Sequence, residues 1–363
     1  MSNAFPRGPD RCMTPSRRTI VQRVGAMKLM SDRMLFRAVD RWIWRTYPEL
    51  ADWVVKTTEK HDIPLPSVAF PVSQNDKFCW RKVFETDPRL PVVTDKLLVR
   101  EWLTEEGIAC ETPEVLWFGK TADKVPKRVW RASAVLKASN AWNANAFAPI
   151  PKKRRPRVIG RLNGKLKSNL NDGLWTAARF FASSGWIFAE ERLDAAEMQE
   201  LKFYTYGSRI LQAFRSLNRD GERYGQIWER QEDGTYLLAE RSSSAAPLRC
   251  EDPLPETFAK AEALAKEIGQ RFDHMRVDFL LQGDKVYLGE LTPLNQRGVL
   301  AGIGHETEGR VAEIWDIRES WTMKNRAGPL WKRYYFSRLR ACLDAGLDYS
   351  DCRDPSLIGQ ASG

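Results

Sequence analysis

The segment Met275–Leu291, MRVDFLLQGDKVYLGEL, constrains the fold of this chain more than any other stretch. Two apolar runs rich in Val, Phe, Leu and Tyr flank the turn-forming residues 282–284, so the segment is predicted to form a β-hairpin. Each predicted strand carries one carboxylate among apolar residues, Asp278 on the first strand and Glu290 on the second. Carboxylates in such surroundings need positive partners, which makes the hairpin a candidate functional element.

The length of the turn decides whether the two carboxylates share a face of the sheet. A three-residue turn pairs Arg276 with Glu290 and makes Asp278 and Glu290 diagonal neighbours on one face. A two-residue turn pairs Asp278 with Gly289 and sends the carboxylates to opposite faces. On a shared face they suit Mg²⁺ carrying a nucleotide phosphate, whereas the alternative is a salt bridge to Arg276 on a solvated face.

Composition is that of a globular protein from a reducing compartment. The 363 residues are 43% hydrophobic and include 14 Trp, which is sufficient for a packed core in two or three structural units. The six cysteines are widely spaced and form no CxxC pair, so neither a zinc site nor a disulfide framework is predicted. No segment has the pattern of a signal peptide or a bilayer-spanning helix, and a cytoplasmic location is expected.

The net charge of +10 is concentrated in two basic regions. Residues 151–170 carry eight Lys or Arg and no acid, and the stretch up to Arg45 is rich in arginine. Such regions are typical of contacts with phosphates, an acidic glycan or a peripheral membrane surface, and 151–170 is predicted to be a basic loop. A nucleic-acid partner is not favoured, because no zinc-finger spacing, RNP-like motif or recognition helix accompanies the charge.

The apolar pattern predicts a mixture of helices and strands. Helices are expected at Asp32 to about Tyr47, Glu49–Lys60, Thr94 or Asp95 to about Glu106, Trp175–Ala182, Pro255–Gln270 and after Ile314. Strands are expected near Val115–Phe118, at Ser133–Lys137, at Trp186–Glu191, on both sides of Gly207 and in a hairpin around 232–234. The strand that ends at Lys137 runs into small and amide residues at 138–145, an arrangement that brings an ammonium and backbone N–H groups to a phosphate.

Several motifs in this order resemble the TupA-like branch of the ATP-grasp superfamily, which is associated with teichuronopeptide and other surface-polysaccharide biosynthesis in bacteria. The resemblance extends over about 76–298. It is carried by DKFCWRKVFETDPRLPVVTDKLLVREWL at 76–103, VLK at 135–137, RLNGKL at 161–166, IFAEERL at 187–193, ELKFYTYGSRI at 200–210 and FDHMRVDFLLQGDKVYLGELTP at 272–293.

The resemblance implies an α+β chain with an ATP-grasp fold, in which two α+β subdomains clasp Mg-ATP between their sheets. A helical N-terminal extension would precede them. The implied units are a basic, partly helical extension at 1–88, a first subdomain at 89–187, a second subdomain with hinge and metal site at 188–313, and a C-terminal helix and tail at 314–363.

The resemblance also implies a role for individual residues. Lys96, Lys137 and Lys202 match lysines that reach nucleotide phosphates. The hinge that reads adenine through backbone groups would consist of Phe188, Ala189, Glu190 and Glu191. The Mg²⁺ ligands would be Asp278 and Glu290, with Asn295 as a third.

The implied chemistry is attack of a substrate carboxylate on the γ-phosphate of ATP, giving an acylphosphate that an amine captures to form an amide. The protein would mainly position the reactants and neutralise charge on the phosphates. Lys137 and Lys202 would contact phosphate oxygens, and Arg276 would lie beside the carboxylates. No side-chain nucleophile is needed. The implied substrate is a bacterial surface polysaccharide or its uronic-acid precursor, joined to an amine such as an amino acid.

The chain departs from the family pattern in two places. Relatives carry glycines after the residue that matches Lys137, where this chain has KASNAWNAN, and the superfamily often has Asn where this chain has Thr292. Glycine lets backbone N–H groups approach a phosphate in conformations that Trp and Ala resist. A noncatalytic descendant that binds nucleotide or anionic glycan within a polysaccharide assembly complex is therefore an alternative. A glycosyltransferase is a further alternative, although no DxD motif flanked by apolar residues is present.

Overall fold

The computed structural model describes residues 31–141, 144–168, 185–194, 198–219, 222–241, 246–298, 305–354 and 356. Within these residues the helices are α1 (Asp32–Thr46), α2 (Pro48–His61), α3 (Gln74–Phe84), α4 (Leu90–Val93), α5 (Val99–Glu105), α6 (Arg155–Ser168), α7 (Phe258–Gly269), α8 (His305–Ile314), α9 (Trp321–Asn325) and α10 (Leu330–Asp344). The strands are β1 (Val115–Gly119), β2 (Ala134–Ala138), β3 (Ala146–Phe147), β4 (Ile187–Glu191), β5 (Gln199–Tyr206), β6 (Arg209–Arg219), β7 (Glu222–Arg230), β8 (Tyr236–Leu238), β9 (Leu248–Arg249), β10 (Met275–Gln282) and β11 (Lys285–Thr292). The helix predicted at 175–182 lies outside the described residues.

The first helices and the last long helix of the described chain share one hydrophobic core. The amphipathic helices predicted at the N-terminal end are confirmed as α1 and α2, and both pack with α10. Phe36 of α1 and Tyr335 of α10 are fully buried, with ring centroids 6.3 Å apart. The described parts of the segments predicted as a separate extension (1–88) and tail (314–363) therefore pack as one helical unit, because their apolar faces cover each other.

A small antiparallel sheet has the strand order β1-β4-β2-β3, and helix α6 covers one of its faces. Leu162 of α6 is fully buried, and Val158, Ile159 and Leu166 pack around it at helical spacing. The prediction of a basic loop at 151–170 is therefore wrong over the length of α6. The apolar stripe gives this segment a face to bury, so it folds as a helix whose basic side chains lie mainly on the exposed side.

A large sheet has the strand order β11-β10-β5-β6-β7-β8, antiparallel along this path, with β9 paired in parallel with β7. Helix α7 covers one face through the apolar stripe predicted for it, and Phe203 and Phe279 of the sheet lie in the same core. Successive side chains of a strand point to opposite faces. Lys202 and Asp278, the neighbours of those two phenylalanines, therefore face away from α7.

The packing differs from the predicted limits of the first subdomain, 89–187. Helix α5 packs into the core of the large sheet, where the rings of Trp102 and Phe272 lie 5.8 Å apart. Strand β4 lies between β1 and β2 in the small sheet, although most of it was predicted to belong to the second subdomain. Apolar contact decides both assignments, and the small unit runs from β1 to β4.

The predicted hairpin is formed by β10 and β11, but its turn is shorter than the metal-site hypothesis required. Gln282 pairs with Lys285, so the turn has two residues, the shorter of the two lengths considered from the sequence. A β-bulge then adds one residue to β11 at Gly289. The bulge restores the parity, because Asp278 pairs directly with Glu290 and both carboxylates lie on one face.

Mixed helices and antiparallel sheets confirm the α+β class. Two sheet-bearing units flank a cavity, as the resemblance to the ATP-grasp fold implies. The helix predicted at 255–270 is confirmed as α7, and the strands predicted on both sides of Gly207 are β5 and β6.

Among the described helices, none combines the length and the apolar character that crossing a bilayer requires.

Candidate functional site

A cavity of about 300 Å³ lies between the two sheets. Strands β2 and β4 of the small sheet form one wall, and strands β5, β10 and β11 of the large sheet form the other. The residues along it are Lys96, Pro113, Val135, Lys137, Asn145, Phe147, Glu190, Glu191, Arg192, Leu193, Met198, Glu200, Lys202, Asn218, Asp278, Phe279, Leu280, Gly289 and Glu290.

Asp278 is held by two cations on the floor of the cavity. Arg276 donates from Nε to Oδ1 at 2.7 Å and from Nη2 to Oδ2 at 2.8 Å, and Lys202 Nζ donates to Oδ2 at 2.8 Å. The strands dictate this contact, since Asp278 of β10 pairs directly with Lys202 of β5. Burial opposes ionisation of Asp278, but Arg276 and Lys202 together outweigh it and hold the pKa of this carboxyl below its usual range.

Glu290 faces a lysine that reaches the cavity from the loop before α5. Lys96 Nζ lies 3.3 Å from Glu290 Oε1 and donates to the carbonyl of Ala141 at 3.0 Å. Asp95 fixes the loop, because its carboxylate accepts the hydroxyl of Ser139 at 2.5 Å and the backbone N–H of Leu97 at 2.9 Å. Lys96 therefore joins the loop after β2 to the large sheet.

Lys137 enters the cavity from the small sheet. Its ammonium contacts Oε1 of Glu190, whose Oε2 accepts a hydrogen bond from Arg100 Nη2 at 2.6 Å. Glu190 lies on β4 between β1 and β2, and its side chain is 5% exposed. A carboxylate so deeply buried needs both cations, and Arg100 of α5 thereby ties the small sheet to the large unit.

The three predicted phosphate-binding lysines converge on one cavity, and each has a carboxylate partner there. The pairs are Lys96 with Glu290, Lys137 with Glu190, and Lys202 with Asp278. Charges at this level of burial are stable only when they are compensated. An anionic ligand such as a polyphosphate can take the place of these carboxylates on the lysines, and a cation can take the place of the lysines on the carboxylates.

The two hairpin carboxylates fit a hard divalent cation. Carboxylate oxygens are the ligands that Mg²⁺ prefers, and the side chain of Glu290 is 28% exposed toward the cavity. Both oxygens of Asp278 accept hydrogen bonds, yet a carboxylate offers about four lone-pair sites, so acceptor capacity remains. Among the described residues no group of three or more His, Cys, Asp or Glu is arranged to hold a metal ion.

Some predicted site residues lie away from the cavity. Asn295 is 1% exposed, its Oδ1 contacts Nε2 of His274 at 3.4 Å, and it is not among the residues that line the cavity. Phe188 and Ala189 are fully buried within β4, whose backbone pairs with strands on both sides. Arg276 does not line the cavity and reaches it through its hydrogen bonds to Asp278. Of the predicted hinge, Glu190 and Glu191 line the cavity.

Other charged residues of the site were not predicted from the sequence. Glu200 lines the cavity, and its Oε2 accepts a hydrogen bond from Arg223 at 2.6 Å and lies 3.4 Å from Lys202. Glu200 lies two residues before Lys202 on the same strand, so the two-residue period of a strand was an available signal. Arg192, whose guanidinium lies 5.4 Å from the Phe147 ring, comes from the segment just after β4 and gave no such signal.

Three comparisons with known proteins bear on this fold. No protein-family model and no curated protein matches the chain. Similar solved structures include D-alanine–D-alanine ligase from Bacillus anthracis complexed with ATP (TM-score 0.37, 12% identity, 65% of this chain and 69% of that one). They also include the ATP-grasp ligase PsnB complexed with a minimal precursor (TM-score 0.34, 12% identity, 67% of this chain and 66% of that one). A third is N5-carboxyaminoimidazole ribonucleotide synthetase from Thermus thermophilus (TM-score 0.31, 15% identity, 56% of this chain and 45% of that one).

Proposed function

We propose that this protein is an ATP-dependent carboxylate-amine ligase with an ATP-grasp fold. The observation that carries the proposal is the convergence of Lys96, Lys137 and Lys202 on one cavity that also contains the paired carboxylates Asp278 and Glu290. The lysines come from a loop, the small sheet and the large sheet, so they surround a ligand placed between the sheets. A magnesium-bound nucleoside triphosphate requires cations for its phosphates and hard oxygen ligands for its metal ion, and this cleft contains both.

The side chains divide the proposed work between binding and orientation. Lys137 and Lys202 would hold phosphate oxygens from opposite walls, and Asp278 and Glu290 would hold Mg²⁺, which supplies charge neutralisation at the phosphates. Arg276 orients Asp278 through two hydrogen bonds and supplies positive charge behind it. A substrate carboxylate would attack the γ-phosphate, which releases ADP and gives an acylphosphate, and an amine would then displace phosphate to form the amide. These steps need positioning rather than a protein nucleophile.

The proposed acceptor is a uronic acid, free or within a bacterial surface polysaccharide. Helix α6 supports this choice, because its exposed basic side extends to the cavity. Arg161 Nη2 of this helix donates to the backbone carbonyl of Asn145 at 2.7 Å, and Asn145 lines the cavity. A polyanion lying along α6 would thus reach the site, and charge complementarity favours an acidic chain over a neutral one.

Calorimetric titration with Mg-ATP tests the nucleotide site. We expect the wild-type protein to bind Mg-ATP, and Lys137→Ala or Asp278→Asn to weaken binding about tenfold to a hundredfold, because each loses a charge-assisted contact. Lys285→Ala is the matched control, since this lysine is exposed at the distal end of the same hairpin. It should bind like the wild type.

Release of ADP in the presence of glucuronate and an amine tests the reaction. Turnover that survives both Lys137→Ala and Asp278→Asn would contradict the proposed mechanism. A second candidate is a noncatalytic nucleotide- or glycan-binding protein, and the loop after β2 favours it. Ser139, Asn140 and Ala141 are buried, Ser139 bonds to Asp95, and Ala141 bonds to Lys96. Tight Mg-ATP binding without ADP release under any acceptor would select that candidate.

A further inference from the structure

Helix α3 lies between the helical unit and the large sheet. All of its residues are buried. Trp80 and Phe84 belong to the core that α3 shares with α1 and α10, whereas Phe78 belongs to the core of the large sheet. The helix begins with a capping box, in which Ser73 and Asp76 bond to each other's backbone N–H. It is thus a fixed element with one face in each unit.

Three polar side chains of α3 reach the large-sheet unit, one on each successive turn. Gln74 Nε2 donates to the Tyr206 hydroxyl at the end of β5, at 3.2 Å. Lys77 Nζ donates to the backbone carbonyls at the end of α8, including that of Trp315 at 2.6 Å. Arg81 reaches furthest, to the open end of the β10–β11 hairpin.

Arg81 bridges the two strands that carry the site carboxylates. Its Nη1 donates to the carbonyl of His274 at 3.0 Å and to the carbonyl of Pro293 at 2.8 Å. His274 directly precedes β10 and Pro293 directly follows β11. Nη2 contacts Oδ1 of Asp273, whose Oδ2 accepts a hydrogen bond from Trp315 Nε1 at 2.8 Å. The side chain of Arg81 is 2% exposed.

One guanidinium can reach both carbonyls when β10 and β11 pair in the observed register, but not when one strand is shifted. The bulge at Gly289 sets the register between the turn and the open end. Without it, β11 would be displaced by one residue, about 3.4 Å, against β10 at the open end. Pro293 and His274 would then not both meet Arg81. The same displacement would take Glu290 out of its place opposite Asp278.

We infer that Arg81 is a positioning residue for the Asp278–Glu290 pair, which makes α3 of the helical unit part of the machinery of the cavity. The inference rests on the proposed function in treating this pair as the cation-holding site. Arginine suits the task because its planar fork presents several donors in fixed directions, whereas a lysine ammonium is a point charge on a flexible stem. Arg81 acts on the ligand only through the hairpin.

The test compares Arg81→Gln and Arg81→Lys with Lys77→Met. Lys77 lies one turn away on the same helix, is equally buried and also donates to two backbone carbonyls, but its partners are at the end of α8. Amide hydrogen exchange is measured over 275–292 without ligand, and the free Mg²⁺ needed for ATP binding is measured by calorimetry. Thermal unfolding records the loss of stability in each variant.

For both Arg81 variants we expect exchange over 275–292 to rise about tenfold and the Mg²⁺ requirement to rise about tenfold. Lys77→Met should lower stability while leaving both readouts as in the wild type. Equal exchange and an equal Mg²⁺ requirement in the Arg81 and Lys77 variants would overturn the inference, since Arg81 would then be a general structural residue.

Two further arms separate the possible failures. If Arg81→Gln does not fold, Arg81→Lys decides, because a flexible ammonium does not hold two carbonyls in fixed directions. Unchanged exchange in Arg81→Lys would overturn the inference. If the wild type binds no Mg-ATP, the proposed function fails. The exchange comparison alone then supports or overturns the role of Arg81 in holding the hairpin.

Discussion

At the scale of single residues, burial decides which titratable groups carry charge. His274 lies among aromatic rings, with centroids 4.9 Å from Tyr206 and 4.7 Å from Trp315. Burial, with the nearby Arg81, lowers the pKa of His274 to about 3, so the ring is neutral at pH 7. Its Nδ1–H donates to the carbonyl of Thr205 at 2.9 Å. His274 is a structural residue, in keeping with its full burial among these rings.

His274 makes stability depend on pH. The unfolded chain takes up a proton near pH 6.5 and the folded chain only near pH 3, so the unfolded state binds more protons between these values. The free energy of unfolding should therefore fall as pH falls below 6.5, by up to about 1.4 kcal/mol per pH unit from this group. Urea unfolding between pH 7 and pH 4.5 measures the slope.

His274→Gln should flatten that slope, and His61→Gln, at an exposed histidine of α2, is the control that should retain it. A wild-type slope that persists in His274→Gln would show that other groups cause the acid sensitivity. Asp278 acts below this pH range, because its pKa is lowered from an ordinary value near 3.8 and its contribution to stability is lost only as pH falls through that lower value.

At the scale of elements, the β10–β11 hairpin depends on one inserted residue. Gly289 forms the bulge opposite Asp278, and a Cβ at this position would lie 3.2 Å from the Asp278 carbonyl oxygen and 3.5 Å from Leu280 Cγ. The backbone of β11 thus passes close to β10 where the two carboxylates meet. A side chain here would act directly on their mutual placement.

Gly289→Ala should lower the free energy of unfolding by about 1–3 kcal/mol, because the new methyl group crowds the neighbouring strand. It should also weaken Mg-ATP binding, since it displaces Asp278. Gly164→Ala on α6 is the matched control. A Cβ added there would meet no atom within 4 Å outside the backbone of its own helix, and the substitution should stabilise the helix by about 0.5–1 kcal/mol. Denaturant unfolding measures the stability of each variant, and calorimetry measures its affinity for Mg-ATP. Unchanged Mg-ATP binding in Gly289→Ala would show that the bulge does not affect the site.

At the scale of the whole molecule, charge is distributed unevenly over three packed units. The net charge is +10, and the exposed side of α6 on the small unit is basic. Arg157 and Arg161 lie one turn apart on this side, and like charges at this spacing disfavour a helix by about 0.2–0.5 kcal/mol. An anionic partner would relieve this repulsion.

Polygalacturonate should bind the protein without ATP, more weakly as salt concentration rises. Arg157→Gln with Arg161→Gln should reduce affinity roughly threefold to tenfold. Arg37→Gln with Arg41→Gln removes the same charge at the same spacing from the exposed side of α1 and should have little effect. Fluorescence titration checks the affinities. Equal losses in both pairs would mean that only net charge matters, and tighter binding to RNA or to anionic vesicles would contradict the choice of an acidic glycan.

The sequence by itself determined the local elements and named the three lysines and two hairpin carboxylates that meet in the cavity. Amphipathic spacing predicted α1, α2 and α7, and the turn residues at 282–284 predicted the hairpin with Asp278 and Glu290. These features depend on residues close together in the chain, where side-chain period and turn chemistry act directly. The three lysines were also named from the sequence, through motifs in a fixed order.

Only the tertiary structure decided how these pieces meet. The bulge at Gly289 arises where β11 must serve both the turn and Arg81, two constraints that lie far apart in the sequence. The pairing of Lys137 with Glu190, and the union of the first and last helices in one core, likewise join distant segments. Such contacts form because buried charges need partners and apolar faces need cover, and many partners satisfy those needs equally well until the chain has folded.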